Sequence, residues 1–132
     1  MPIQPAPNRA PRVLLIDDDP AIRFVLSEWL TDDGYTVQMA ESGDAGLAVL
    51  EGWRPDVIVL DLMMPVMDGW TFRAEQRRLQ RASDVPLVVL SASRSAAGSA
   101  KELGAAVVLT KPFDLPAVQA AIEGALACLP AK

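Results

Sequence analysis

The chain of 132 residues contains no histidine and only one cysteine, Cys128. Without histidine, catalytic triads, histidine general bases and histidine metal sites are all excluded. A single cysteine cannot close an internal disulfide, which fits a reducing compartment. We interpret Cys128 as a small apolar residue of the last helix.

Positive charge and long apolar runs are also scarce. The chain contains twelve lysines and arginines and seventeen acidic residues, which gives a net charge of −5. Because a nucleic-acid-binding surface needs a basic patch, no direct contact with nucleic acid is expected. No apolar run approaches the roughly 18 residues of a membrane span, and the first residues lack the apolar segment of a signal peptide. We therefore predict a cytoplasmic protein that does not contact the membrane.

Short apolar runs alternate with segments of helical periodicity along the whole chain. The runs predict five strands, over residues 12–16, 35–40, 57–60, 86–90 and 106–110. Such alternation is typical of an α/β fold, in which a parallel sheet carries helices on both faces. We predict one domain over residues 12–129, a flexible proline-rich leader over 1–11 and a tail over 130–132.

Residues that favour helix ends mark several boundaries. Pro20 lies near the start of the first helix, Gly34 follows its end, and Asp114 precedes the last helix. The third helix is predicted over residues 69–81. A weak fourth helix is predicted over residues 94–103, because glycine and serine lower its helix propensity.

Polar residues follow four of the five predicted strands. They are Asp17, Asp18 and Asp19 after the first strand, Asp61 after the third, Ser91 after the fourth and Lys111 after the fifth. The carboxyl ends of parallel strands meet at one edge of a sheet. Two carboxylates at 4 Å repel by about 4 kcal/mol at an effective dielectric of 20. An ionised cluster therefore requires a cation, and oxygen ligands favour Mg²⁺ over zinc.

Asp61, at the end of a buried strand, is a candidate nucleophile. Lys111 offers a positive charge and Ser91 a hydroxyl, and both suit a phosphoryl group attached to Asp61. Each residue alone has a simpler interpretation: Asp19 as a helix cap, Ser91 as a turn residue and Lys111 as a solvated lysine. Their occurrence together at successive strand ends favours the chemical interpretation.

In these motifs the sequence resembles the receiver (phosphoacceptor) domain of two-component response regulators, of the single-domain type. The resemblance extends over residues 12–129. Its motifs are the acidic pair after the first strand, the loop from Asp61 to Gly69, Ser91-Ala92 and Lys111-Pro112-Phe113. It implies a flavodoxin-like (βα)5 fold, doubly wound, with strand order 2-1-3-4-5.

The resemblance also implies a metal site and a phosphorylation site. Asp61 would be the phosphoacceptor, Asp18 a direct Mg²⁺ ligand, Asp17 a ligand through water and Met63 a ligand through its backbone carbonyl. Mn²⁺ would be an acceptable substitute.

The remaining implied roles concern the phosphoryl group and the partners. Ser91 would hydrogen-bond the phosphoryl group, Lys111 would pair with it, and the peptide before Pro112 would be cis. The donor would be a sensor histidine kinase or a histidine phosphotransfer protein. The output would be altered contact with a downstream protein, made by a monomer or a phosphorylation-dependent dimer.

The sequence departs from the family pattern at residues that usually transmit the effect of phosphorylation to the rest of the domain. Val108 occupies the position, three before Lys111, at which the family usually has an aromatic residue. The interval from Ser91 to Lys111 is also shorter than in typical members. We hypothesise that the switch acts by ordering the segment around the predicted fourth helix.

Other functions are compatible with the same sequence to different degrees. The chain could be the N-terminal receiver of a larger regulator or hybrid kinase, which its loose leader permits. An aspartyl-phosphate phosphatase or phosphotransferase is disfavoured, because Met63 stands where haloacid-dehalogenase-type enzymes carry a second acid. A flavodoxin-type flavin protein is disfavoured because three acids would repel the cofactor phosphate. We therefore predict a phosphoacceptor that is not a turnover enzyme.

One basic pattern has two interpretations. Arg73, Arg77 and Arg81 recur with helical spacing on the third helix. They form either a solvated face with local ion pairs or a docking surface for an acidic partner.

Overall fold

In the part of the chain that the structure describes, five strands and four helices follow one another. The computed structural model describes residues 10–61, 69–79, 83–91, 105–110 and 114–127. The elements within these ranges are β1 (Arg12–Ile16), α1 (Pro20–Asp32), β2 (Thr36–Ala40), α2 (Gly43–Leu50), β3 (Val57–Asp61), α3 (Gly69–Arg77), β4 (Leu87–Ser91), β5 (Val107–Thr110) and α4 (Leu115–Ala127). The helix predicted over residues 94–103 lies outside the described residues, as do Met63, Lys111, Pro112 and Cys128.

The strands form one parallel sheet in the order β2-β1-β3-β4-β5. This confirms the predicted flavodoxin-like order. The register pairs Ile16 of β1 with Leu60 of β3, and Asp61 of β3 with Leu90 of β4. The carboxyl ends of the two central strands, β1 and β3, therefore meet at the same level.

The core lies on both faces of this sheet. Alternate residues of each central strand enter different clusters: Leu14 and Ile58 pack toward α2 and α3, whereas Val13 and Val57 pack toward α1 and α4. Every residue of β3 and β4 is buried. Their continuous apolar runs are the expected pattern for parallel strands that are covered on both faces.

The helix ends predicted at Pro20, Gly34 and Asp114 are confirmed. Asp19 caps α1, its Oδ1 accepting from the backbone N–H of Ala21 at 2.9 Å, with Pro20 as the first helical residue. Gly34, just beyond the end of α1, has a φ of +99°, a conformation that favours glycine. Asp114 Oδ1 accepts from the N–H of Ala117 at 2.8 Å at the start of α4. Among the described residues, no helix has the length and apolar character needed to span a membrane.

The third helix is shorter than predicted. It ends at Arg77 because the chain tightens there: the N–H of Arg78 bonds the carbonyl of Glu75 at 3.1 Å, and the N–H of Leu79 bonds that of Gln76 at 3.0 Å. These three-residue spacings are typical of the last, tightened turn of a helix.

Neither interpretation of the basic pattern on α3 is correct for Arg73. This residue is buried, and its Nη1 donates to Gln76 Oε1 at 2.8 Å. Gln76 Nε2 in turn donates to the carbonyl of Val85 at 3.3 Å, which ties α3 to the segment just before β4. Burial, with Arg77 nearby, lowers the pKa of the Arg73 guanidinium. Arg73 therefore belongs to an internal polar network, while Arg77 is exposed.

Candidate functional site

Three of the predicted acids converge at the carboxyl edge of the sheet. Asp17, Asp18 and Asp61 each offer a carboxylate oxygen within 4.8 Å of the others. The strand register explains this, because Asp17 and Asp61 directly follow the paired residues Ile16 and Leu60. Neighbouring strands lie about 4.8 Å apart, so the two acids stand side by side. Asp17 and Asp61 are 0% and 5% exposed, and Asp18 is open to solvent.

The electrostatics of this cluster favour a hard cation. Each pair of ionised carboxylates at such distances repels by about 3 to 4 kcal/mol at an effective dielectric of 20. Burial of two of the three acids reduces screening by water and salt. The donor set consists of oxygen atoms alone, which are the ligands preferred by Mg²⁺ and similar ions. The residues present therefore fit a divalent cation of this class.

The turn between β1 and α1 is held by hydrogen bonds on both sides of Asp18. The N–H of Asp17 donates to the carbonyl of Ala40 at the end of β2, at 3.2 Å. The N–H of Asp19 donates to Asp17 Oδ1 at 2.9 Å. The side chain of Asp19 is used in capping α1, as the simpler interpretation of that residue expected. Of the three consecutive acids, Asp17 and Asp18 face Asp61.

Arg23 is a residue of this site that the sequence reasoning missed. Its Nη1 donates to the backbone carbonyl of Asp17 at 2.6 Å. A signal was available, because a basic residue in the first turn of a helix opposes the helix dipole. A basic residue at this position therefore indicates a nearby hydrogen-bond acceptor that compensates the unfavourable interaction, and that acceptor is the carbonyl of Asp17.

Ser91 ends β4 and is fully buried. Because Asp61 pairs with Leu90, Ser91 lies one residue further along β4 than the partner of Asp61. Ser91 itself pairs with Thr110, the last residue of β5. Lys111 follows Thr110 in sequence and lies outside the described residues, as does Met63.

An apolar surface lies on α1. Phe24 and Val25 are 66% and 48% exposed, although both are large apolar residues. Beside them a groove of about 480 Å³ runs between α1 and the start of α4, lined by Ala21, Ile22, Val25, Leu26, Asp114 and Leu115. This surface therefore lies on the helix that follows Asp17 and Asp18 in sequence.

Several proteins with similar sequences are regulators of transcription. The DNA-binding dual master transcriptional regulator RpaA of Synechocystis is 41% identical over 118 residues, which are 88% of this chain and 49% of RpaA. The transcriptional regulatory protein GlrR of Escherichia coli is 39% identical over 121 residues, which are 90% of this chain and 27% of GlrR. The chain thus spans half or less of the length of these relatives.

Solved structures with the same fold include signalling proteins. The chemotaxis response regulator CheY4 of Vibrio cholerae superposes with a TM-score of 0.82 at 31% identity, covering 88% of this chain and 98% of CheY4. FixJ-N superposes with a TM-score of 0.82 at 31% identity, covering 94% of this chain and 99% of the FixJ-N chain. The family model of the response regulator receiver domain matches residues 13–123. The chain therefore belongs to the response regulator receiver domain family.

Proposed function

We propose that this receiver domain accepts a phosphoryl group on the carboxylate of Asp61, with Mg²⁺ held by Asp61, Asp17, Asp18 and the backbone carbonyl of Met63. The observation that carries the proposal is the convergence of three carboxylates within 4.8 Å at one edge of the sheet. Such a cluster is unfavourable by itself and becomes favourable when a divalent cation binds, and the same cation would offset the negative charge of a phosphoryl group on Asp61.

The acids of the cluster have different tasks in this proposal. When bound, Mg²⁺ neutralises carboxylate charge and the oxygens of the phosphoryl group. Asp17, which is buried and hydrogen-bonded through its Oδ1, presents a fixed negative charge to the ion. Asp18 is exposed and closes the site on its solvent side. Mn²⁺, which also prefers oxygen ligands, would fit the same donors.

The reaction transfers a phosphoryl group from a phosphohistidine to Asp61. A carboxylate oxygen of Asp61 forms the new O–P bond as the N–P bond breaks, and the electron pair of that bond remains on the imidazole nitrogen. We assign Ser91 to hydrogen-bond the transferred group and Lys111 to neutralise its charge. The support is their position: Ser91 ends the strand beside β3, and Lys111 follows the residue paired with Ser91.

The donor would be a histidine kinase or a histidine phosphotransfer protein that docks on α1. Asp61 is only 5% exposed, so a donor must approach closely from the open side of the site. Phe24, Val25 and the groove that Val25 lines offer apolar surface on α1, the helix that follows Asp17 and Asp18 in sequence. Burial of exposed apolar area is the main favourable contribution to most protein associations.

Asp61 would be phosphorylated and dephosphorylated, and the site would not turn over a substrate. The added charge would shift an equilibrium between two conformations and so alter binding of a downstream protein. The native chain would act either as a single-domain regulator or as one part of a longer protein. The second form is supported by relatives that are at least twice as long as the match.

Intact-mass measurement tests the proposal directly. Incubation with acetyl phosphate and Mg²⁺ should add one phosphoryl group to the wild-type chain and none to Asp61→Asn, because the amide is not a nucleophile of this kind. Asp44→Asn is the matched control, since it removes an exposed acid of α2 that is not in the cluster. Labelling of Asp61→Asn at the wild-type level, or no labelling of the wild-type chain with either acetyl phosphate or a phosphohistidine protein, would contradict the assignment of Asp61.

A further inference from the structure

We propose that Arg23 is a positioning residue for the metal site, setting the direction in which the carboxylate of Asp18 points. The inference rests on the proposed function, because it concerns affinity for the ion that Asp17, Asp18 and Asp61 would hold. Arg23 does not belong to the acidic cluster. It acts through the backbone, by the 2.6 Å hydrogen bond from its Nη1 to the carbonyl of Asp17.

The location of Arg23 explains this contact. Its backbone N–H bonds the carbonyl of Asp19, the N-cap residue, at 3.0 Å, so Arg23 stands in the first turn of α1. Side chains of a helix lean toward its N-terminus, and that direction leads back to the β1–α1 turn. A charged donor makes a shorter and stronger bond to a carbonyl than a neutral donor does. This bond compensates a positive charge that the helix dipole disfavours at this end.

Holding the carbonyl of Asp17 restrains the backbone of Asp18. The carbonyl of Asp17 and the N–H of Asp18 belong to one planar peptide unit, which Arg23 holds. The next peptide unit contains the N–H of Asp19, which donates to Asp17 Oδ1 at 2.9 Å. Both planes that flank the Cα of Asp18 are thus fixed, and with them its φ and ψ. An exposed side chain, which packing alone would leave free, is thereby aimed at the cluster.

The charge of Arg23 and its hydrogen bond have opposite effects on a bound cation. A guanidinium near the site repels Mg²⁺, so its charge alone would weaken binding. Its hydrogen bond preorganises Asp18 and strengthens binding, as partners behind metal ligands do. Removal of the side chain therefore distinguishes the two effects by the sign of the change in affinity.

The test compares Mg²⁺ dissociation constants of the unphosphorylated chain by isothermal titration calorimetry. Arg23→Met should raise the constant about tenfold, the lower end of the range for residues that orient metal ligands. Arg23→Lys should recover part of the affinity, because a lysine keeps a charged donor for the same carbonyl. With acetyl phosphate, Arg23→Met should need more Mg²⁺ for half-maximal labelling and should keep most of the maximal rate at saturating Mg²⁺.

Two further variants make the outcomes distinguishable. Arg12→Met removes an arginine at the opposite end of β1, where the guanidinium lies 5.4 Å from the ring centre of Trp53, and should leave Mg²⁺ affinity unchanged. Asp18→Asn should lose most Mg²⁺ binding. Suppose that Asp18→Asn does not bind Mg²⁺, whereas Arg23→Met binds it as tightly as the wild type or more tightly. This result would overturn the role of Arg23 and leave the function of the site intact. A wild-type chain that takes up no Mg²⁺ would overturn both proposals.

Discussion

Replacement of Gly46 by alanine tests how closely α2 packs against β1 and α3. A Cβ at this position would lie 2.5 Å from Ile16 Cδ1 and 3.3 Å from Phe72 Cε1. Both neighbours are fully buried, so neither can move into solvent. The first distance is about 1 Å shorter than an ordinary contact between carbon atoms.

Two opposing contributions determine the result. Alanine in a helix is favoured over glycine by about 1 kcal/mol, whereas overpacking of a buried site costs about 1 to 3 kcal/mol. Gly46→Ala should therefore lower the free energy of unfolding by up to about 2 kcal/mol. Gly124→Ala in α4 is the matched control, because nothing lies within 4 Å of a Cβ there. That variant should be more stable than the wild type by about 0.5 to 1 kcal/mol.

The assay is urea unfolding followed by circular dichroism, with a double-mutant cycle on Ile16. Ile16→Val removes the Cδ1 atom that the methyl group introduced by Gly46→Ala would meet, and alone it should cost about 0.5 to 1.5 kcal/mol. In the Gly46→Ala background the same change should cost little or restore stability, giving a coupling energy of about 1 kcal/mol or more. Equal stabilisation by Gly46→Ala and Gly124→Ala, with no coupling to Ile16, would refute the close packing of α2 on β1.

Two further predictions concern surface and ionisation. Phe24→Ala should slow transfer from a phosphohistidine protein about tenfold more than it slows labelling by acetyl phosphate, since only the protein donor uses apolar surface on α1; equal slowing in both assays would contradict docking there. Burial, then the charges of Glu123 and Asp33, raise the pKa of Tyr35, the only tyrosine of the chain. As pH rises, the unfolded chain should therefore lose the phenolic proton of Tyr35 before the folded chain does. Above about pH 10 the wild type should lose stability relative to Tyr35→Phe, whereas below that pH the difference in free energy of unfolding between the two should be constant. Absorbance of the phenolate gives the midpoint in each state, and identical midpoints would exclude the shift.

The fold was predictable because local and global signals agree in this chain. The run from Val57 to Leu60 is apolar throughout, which is what a strand covered on both faces requires, and the structure buries every residue of β3. Asp19, Gly34 and Asp114 mark helix ends by chemistry that depends only on near neighbours. The convergence of Asp17, Asp18 and Asp61 was also predictable, because parallel strands bring their carboxyl ends to one edge.

Other features depend on contacts that the sequence pattern does not display. The spacing of Arg73 and Arg77 predicts a shared face, yet Arg73 is buried because Gln76 and the carbonyl of Val85 provide a polar site beside β4. The bond from Arg23 to the carbonyl of Asp17 involves a backbone atom, which has no signature in side-chain patterns. Val108 is half-buried on β5, and the switch hypothesis attached to it remains a prediction that hydrogen exchange over residues 94–105 can test.

The adjacency of Asp17 and Asp61 through strand register has a consequence for how this domain can evolve. The pairing of Ile16 with Leu60 brings the acids together whatever apolar residues occupy the strands, so exchange among valine, leucine and isoleucine leaves the site in place. A deletion of one residue within β1 or β3 differs, because it would turn one acid toward the opposite face of the sheet. Variation in this lineage is therefore expected to appear as substitutions within the central strands and as changes of length only in the loops.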